Sequence, residues 1–194
     1  MFPAGSSFVA ALDANVLFGY PLRDTLLHAG EAELYRPAWS EDVWAEVVRN
    51  LQDPRRKRPH TPADVQHLMD ELRKAFKDAF VDGYHPLIPS MPIEIDTKDR
   101  HVAAMAVRAG AQVLVTYNTK HFPAAQLALY GIKVQKPDDF LHDLYLRVPL
   151  AMVEVIRTQS SLLENPPKTP HEILNDLEKV HVRRFVHAIR THIP

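Results

Sequence analysis

Short apolar runs alternate with longer stretches of helical period up to about Val134, and beyond Asp138 only the helical period remains. Phe8–Leu12 is a continuous apolar run ending at Asp13, with the length and composition of a strand buried on both faces. Asp24–Ala29 predicts a short helix stopped by Gly30, and Glu33–Pro37 a second strand of mixed polarity. Ser40 is placed to cap a helix reaching Leu51, with Val43, Val47 and Leu51 as its apolar stripe and Trp44 and Val48 beside it.

Asp53–His60 is a proline-flanked loop carrying Arg55, Arg56, Lys57 and Arg58 in a row. Thr61-Pro62 then opens a helix with an N-cap hydroxyl, proline in the first helical position and Asp64 in the first turn. Val65, Leu68, Met69, Leu72, Phe76 and Phe80 follow at helical period. Tyr84–Ile95 is punctuated by prolines and reads as extended. Asp96 or Thr97 caps the next helix, which Gly110 ends. Val113–Thr116 is the most strand-like run of the chain; a helix over Pro123–Tyr130, stopped by Gly131, and a strand at Ile132–Val134 follow. Strands alternating with helices imply βαβ units and a parallel sheet.

The change of pattern divides the chain into a core domain at residues 1–140 and a helical extension at 141–194. In the extension Thr169-Pro-His-Glu172 is a capping-box sequence, and Asn165–Thr169 has the composition of a semi-rigid spacer. Helices this short are marginal alone, so Ile173, Leu174, Leu177, Val182, Phe185, Val186 and Ile189 must pack on the core or on another chain. The expectation is an arm that regulates access to a cleft or supports assembly and supplies no metal ligand.

Composition narrows the chemistry. The 194 residues contain no cysteine, which excludes disulfides, thiol nucleophiles and thiolate metal sites. Lys+Arg 23 against Asp+Glu 24 leaves a net charge of −1, so any nucleic-acid contact must come from local patches. No apolar run reaches the roughly 18 residues of a membrane span. Met1–Ser7 carries no basic leader, and the apolar run after it is cut by Asp13, so the expectation is no signal peptide and a cytoplasmic protein. None of the 11 histidines lies three or four residues from another, so no helix face presents a histidine pair.

In an open parallel sheet, ligands bind outside the carboxyl ends of the strands. Asp13 and Asn15 follow the first strand, and Thr116 and Asn118 follow Val113–Val115. Asp99 lies at the start of the helix feeding that strand, and Glu46 in the helix after the second. Asp13 taken alone is weak evidence, since a carboxylate there also serves simply to cap the following turn. Several carboxylates converging on one cleft, however, resist ionisation unless a cation joins them. With oxygen ligands and no thiolate, that cation would be Mg²⁺ or Mn²⁺.

These residues carry a resemblance. Leu12-Asp13-Ala-Asn15-Val-Leu17, Glu46 within Ala45–Leu51, Asp99-Arg-His-Val-Ala-Ala104 and Val115-Thr-Tyr-Asn-Thr-Lys-His-Phe-Pro123 stand in the order and spacing of the four motifs of the PIN-domain nucleases. The chain is most similar to the VapC-type toxins of bacterial toxin–antitoxin pairs, in a subgroup with an extended C-terminus. The resemblance implies a three-layer α/β/α sandwich with a parallel sheet, and a Mg²⁺- or Mn²⁺-dependent endoribonuclease. Asp13, Glu46 and Asp99 would be its metal-binding catalytic acids, with Asn15 and Thr116 holding the Asp13 carboxylate in place. It further implies an RNA substrate, a cognate antitoxin and a homo-oligomer, expected as a dimer. Asn118 and His121 occupy places where related motifs carry aspartates, which leaves three acids, enough for one well-held ion. These two departures also favour an alternative, a catalytically weak or inactive PIN-fold protein that binds RNA or a partner. A haloacid dehalogenase-type phosphohydrolase ranks last, because Asn15 stands where that family usually has its second aspartate. Arg55–Arg58 reads equally as an RNA phosphate contact and as a solvated loop. A second cationic stretch, Arg183, Arg184 and Arg190 with three histidines, reads foremost as a solvated face.

Overall fold

The computed structural model describes residues 8–193; the reading of Met1–Ser7 as lacking a leader lies outside them. The elements run β1 (Val9–Leu12), α1 (Ala14–Leu17), α2 (Leu22–Glu31), β2 (Arg36–Ala38), α3 (Glu41–Leu51), α4 (Pro62–Ala75), α5 (Arg100–Arg108), β3 (Val113–Val115), α6 (Ala124–Ala128) and β4 (Lys133–Gln135). Four further helices follow: α7 (Pro137–Arg147), α8 (Pro149–Leu162), α9 (Pro170–Lys179) and α10 (Arg183–Arg190). Single 3₁₀ turns lie at His85–Ser90 and Thr119–His121.

The strands form one parallel sheet in the order β2-β1-β3-β4. Ala11 pairs with Ala38 on one side and with Leu114 on the other, so β1 is central. All four of its residues are buried, which explains the unbroken apolar run. The chain leaves β1 toward β2, then crosses back to β3 on the opposite side. Right-handed crossovers in opposite directions put helices on both faces of the sheet and open a crevice between the ends of β1 and β3. Asp13 and Thr116 are the residues immediately after those two strands.

Local chemistry sets several boundaries. Ser40 Oγ accepts the Val43 N–H at 3.2 Å and starts α3. Thr61 and Asp64 form a complete capping box on α4, as do Thr169 and Glu172 on α9. Gly110 and Gly131, at φ +63° and +74°, end the segments before β3 and β4 in the left-handed conformation that glycine adopts without strain.

Four boundaries differ from the sequence pattern. Helix α2 is longer than Asp24–Ala29 and contains Gly30, which serves close packing: a Cβ there would stand 3.2 Å from the Phe76 ring and 3.3 Å from Pro37. Helix α4 ends at Ala75, and Phe80 instead bridges Trp39 in parallel beyond β2. Trp39 meets both Phe76 and Phe80 edge-to-face at 5.5 and 5.7 Å, so aromatic packing overrides the helical period. His85–Ser90 forms a 3₁₀ turn within the segment read as extended. Helix α5 starts at Arg100 with Asp99, not Asp96 or Thr97, in the capping position.

The C-terminal helices are integral to the same buried core. Ile173, Leu174, Leu177, Val182, Phe185, Val186 and Ile189 are fully buried there. Helix α7 runs unbroken across residue 140. Helix α8 lies on α2, where Thr25 Oγ1 donates to Gln159 Oε1 at 2.8 Å between two buried side chains. Helix α10 packs against α7 and α9, with Asp138 accepting from the Arg184 and Phe185 N–H groups at 3.0 and 2.9 Å. No helix among the described residues is long and apolar enough to cross a membrane.

Candidate metal centre

The chain turns directly from β1 into α1 at Asp13, whose backbone is extended and whose carboxylate is buried at 4% exposure. Asp13 Oδ2 accepts two short hydrogen bonds, both 2.6 Å, from Asn15 Nδ2 and Thr116 Oγ1. Asn15 Nδ2 lies 3.0 Å from Thr116 Oγ1, and its Oδ1 accepts the Tyr117 N–H at 3.0 Å. Thr116 Oγ1 also accepts the Asn118 N–H at 2.9 Å. One carboxylate oxygen, one amide and one hydroxyl thus tie the end of β1 to the loop after β3. Asn118 enters through its backbone, and the residue itself is exposed.

Burial pushes the Asp13 carboxyl above its ordinary range, and the negative charges of Asp99 and Glu46 push it further; the Thr116 hydroxyl opposes them. Two acids that are 33 and 86 residues from Asp13 in the chain therefore act on it through space, while the ligand atoms that lie closest to one another belong to a different trio.

Asp99 and Glu46 each face a histidine. Asp99 caps no N–H of its own helix with its side chain, and its Oδ2 lies 2.7 Å from His121 Nδ1 on the 3₁₀ turn after β3. Glu46 Oε1 lies 3.4 Å from His101 Nε2 on α5, whose Nδ1 is 2.8 Å from the Lys98 carbonyl. Ligand atoms of Asp96, Asp99 and His121 lie within 4.8 Å of one another, close enough to share an ion. Beside them Asp42 accepts the Tyr84 hydroxyl at 2.5 Å and meets His85 Nε2 at 3.2 Å.

The donor set fits a divalent cation. It offers carboxylate oxygens with imidazole nitrogen at the margin and no sulfur, a combination suited to Mg²⁺ or Mn²⁺. A buried carboxylate repelled by two neighbours also gains from a positive charge among them.

The structure keeps Arg55, Arg56, Lys57 and Arg58 apart from this cluster, on the loop after α3. Arg55 is engaged with Asp53 at 2.6 Å and Arg56 with Asn50 at 2.5 Å, whereas Lys57 and Arg58 are exposed. The places of Asp96 and His121 beside Asp99 were not apparent from motif order. The i, i+3 spacing of Asp96 and Asp99 was the signal for the first, since it places both in one turn; the Asp99 N–H donates to the Asp96 carbonyl at 2.8 Å.

Two families of known proteins match the chain, the PIN domain over residues 10–120 and the VapC50 C-terminal domain over residues 137–191, which begins at the first residue of α7. "Putative ribonuclease VapC50" of Mycobacterium tuberculosis is 46% identical over 99 residues, covering 51% of this chain and 57% of that protein. The chain thus matches little more than half the length of that curated relative. No solved structure matches it. The first match takes in more than half of the chain, including β1 to β3 and the positions of Asp13, Glu46 and Asp99: the chain belongs to the PIN-domain family.

Proposed function

We propose that the protein is a metal-dependent endoribonuclease that hydrolyses RNA phosphodiester bonds, and that it is the toxin of a toxin–antitoxin pair. The observation that carries this is the buried Asp13 carboxylate at the sheet crevice, within the fields of Asp99 and Glu46. The relative's name, a ribonuclease, supports the same reading.

Asp13, Asp99 and Glu46 would hold Mg²⁺ or Mn²⁺, with Asp96 and His121 at the margin. A bound ion supplies positive charge for the scissile phosphate and an acidified water as nucleophile. Asn15 and Thr116 fix the Asp13 carboxylate through Oδ2, so its orientation is set before substrate arrives. Glu46, with its side chain 35% exposed, would orient the attacking water. Lys57 and Arg58 lie free to meet RNA phosphates away from the centre. An antitoxin and a second copy of the chain are the expected partners.

A non-catalytic RNA-binding role is the second reading, favoured by an amide at Asn118 and an imidazole at His121. Cleavage of total RNA under metal titration, wild type against Asp13→Asn, decides between them. The nuclease reading requires activity with Mg²⁺ or Mn²⁺ that EDTA and Asp13→Asn each abolish. Cleavage unchanged in excess EDTA refutes it.

A further inference from the structure

Beside the acidic centre, at the carboxyl ends of β3 and β4, lies a cavity of about 310 Å³ lined by Tyr117, Lys136, Asp138, Asp139 and His181. Its walls come from both parts of the chain: Tyr117 and Lys136 follow β3 and β4, while His181 lies in the turn between α9 and α10. Tyr117 joins the two. Its N–H donates to Asn15, the residue that also holds Asp13, and its hydroxyl donates to the Val180 carbonyl at 2.6 Å. Burial, reinforced by the Asp138 charge, pushes that hydroxyl up to about 12, so it stays a donor at neutral pH.

The charge balance of the cavity is not what its residue types suggest. Asp138 is taken up by the Arg184 and Phe185 N–H groups at the start of α10, and Asp139 by the Arg184 guanidinium at 3.1 Å. Asp139 is thereby ion-paired, whereas Asp138 is hydrogen-bonded and keeps its charge, held toward the start of α10. Among the described residues the side chains of Lys136 and His181 make no hydrogen bond or ion pair, and both residues are exposed. His181 sits in the left-handed region at φ +66°, a conformation that costs a non-glycine residue energy. What remains for a ligand is a half-buried phenol ring, an ammonium and an imidazole, one residue along the chain from Thr116 of the metal centre.

We infer that this cavity is an RNA subsite for a nucleotide flanking the scissile bond. The base lies against the Tyr117 ring, and its phosphate meets Lys136 and His181. Aromatic stacking and a cation on the backbone are the two elements that single-stranded nucleic acid requires and that sequence-independent sites combine. The inference rests on the nuclease reading and deepens it, since it gives the C-terminal helices a part in substrate binding.

The test is the affinity of the full-length protein for a fluorescein-labelled single-stranded 12-mer RNA, measured by anisotropy in EDTA so that cleavage plays no part. Lys136→Gln combined with His181→Asn removes the ammonium and the imidazole, and asparagine tolerates the positive φ at position 181. The expected result is a loss of affinity of about tenfold, with the slope of log K against log salt shallower by roughly 0.7 for the lysine. Lys133→Gln, at the opposite end of β4 and already paired with Asp143, is the control and should leave affinity unchanged. In the presence of metal, the double variant should raise KM for cleavage of the 12-mer. Unchanged affinity in a folded double variant overturns the subsite, including the case in which the cavity serves a protein ligand. A loss matched by Lys133→Gln overturns it as well, because nonspecific charge then explains the effect. A wild-type protein that binds RNA but never cleaves it refutes the nuclease reading while leaving the binding comparison intact.

Discussion

Replacing Asp13 with asparagine separates the cost of the acidic cluster from its use. Asp13 ionises against burial and against the charges of Asp99 and Glu46, so its folded-state pKa lies above the unfolded value of 3.8. For an acid shifted in that direction the folded state holds the proton more tightly. Stability then falls as pH rises from below 3.8 through the folded value, and above that value the metal-free protein carries the full penalty. Asparagine keeps an oxygen to accept from Asn15 and Thr116 and removes the charge. The metal-free variant should therefore be at least as stable as wild type at pH 7, although a buried polar group has been altered.

With metal the order reverses. A ligand at 100 times its Kd stabilises the state that binds it by about 2.7 kcal/mol. For a chain of this size each kcal/mol moves Tm by roughly 2–4 °C, so Mn²⁺ should raise the wild-type Tm by about 5–11 °C. The rise should be small or absent in Asp13→Asn. Differential scanning calorimetry with and without Mn²⁺ measures all four states. An equal Mn²⁺-induced rise in both proteins would show that Asp13 holds no ion, and a metal-free variant several degrees less stable than wild type would show that its charge is not a burden.

Three further outcomes follow from contacts elsewhere. Thr25→Val leaves Gln159 Oε1 without its buried donor and should cost about 1–3 kcal/mol, read as a lower urea midpoint at constant m-value. Asp138→Ala removes the acceptor for two N–H groups at the start of α10, and a loss of about 1 kcal/mol should appear as faster amide exchange across Arg183–Arg190. The Tyr84 hydroxyl, with help from the His85 and His101 charges, holds Asp42 below the usual carboxylate range. Its contribution is present above the unfolded pKa and lost as pH falls through the folded one, so Tyr84→Phe should lessen the dependence of Tm on pH between about 2 and 5.

The parallel sheet was legible because burial writes itself plainly into β1 and β3: both are unbroken apolar runs, and the polar residues that end them are the ones the fold uses. Asp13, Asn15 and Thr116 were legible for that reason, and the Thr61 and Thr169 capping boxes because a cap is a local device. What the pattern did not give depends on distant chain. Phe80 keeps helical period with Phe76 yet pairs beside Trp39, because an edge-to-face contact between large rings outweighs one more helical turn. Gly30 reads as a stop and instead lets α2 approach Pro37 and Phe76. The histidines were unreadable by spacing, since His101 and His121 find Glu46 and Asp99 across elements rather than along one helix face.

The strand order accounts for the way four separate segments supply one centre. A β2-β1-β3-β4 sheet sends its first crossover one way and its second the other, so the loops after β1 and β3 are neighbours. Asp13 and Thr116 stand on those loops, and their hydrogen bond closes the gap between them. Helix α3, leaving the adjacent β2, carries Glu46 to the same edge, and α5 faces it with His101. Asp99 ends the long segment before α5, and because its carboxylate does not cap its own helix it is free to turn toward His121. The extension completes the edge on the far side, where Val180 receives the Tyr117 hydroxyl and Asp138 fixes the start of α10. Helices α7–α10 therefore do more than shield the core. They hold the loop after β3 from outside while Asn15 and Asp13 hold it from within, and Tyr117 bonds to both sides, through its N–H to Asn15 and through its hydroxyl to Val180.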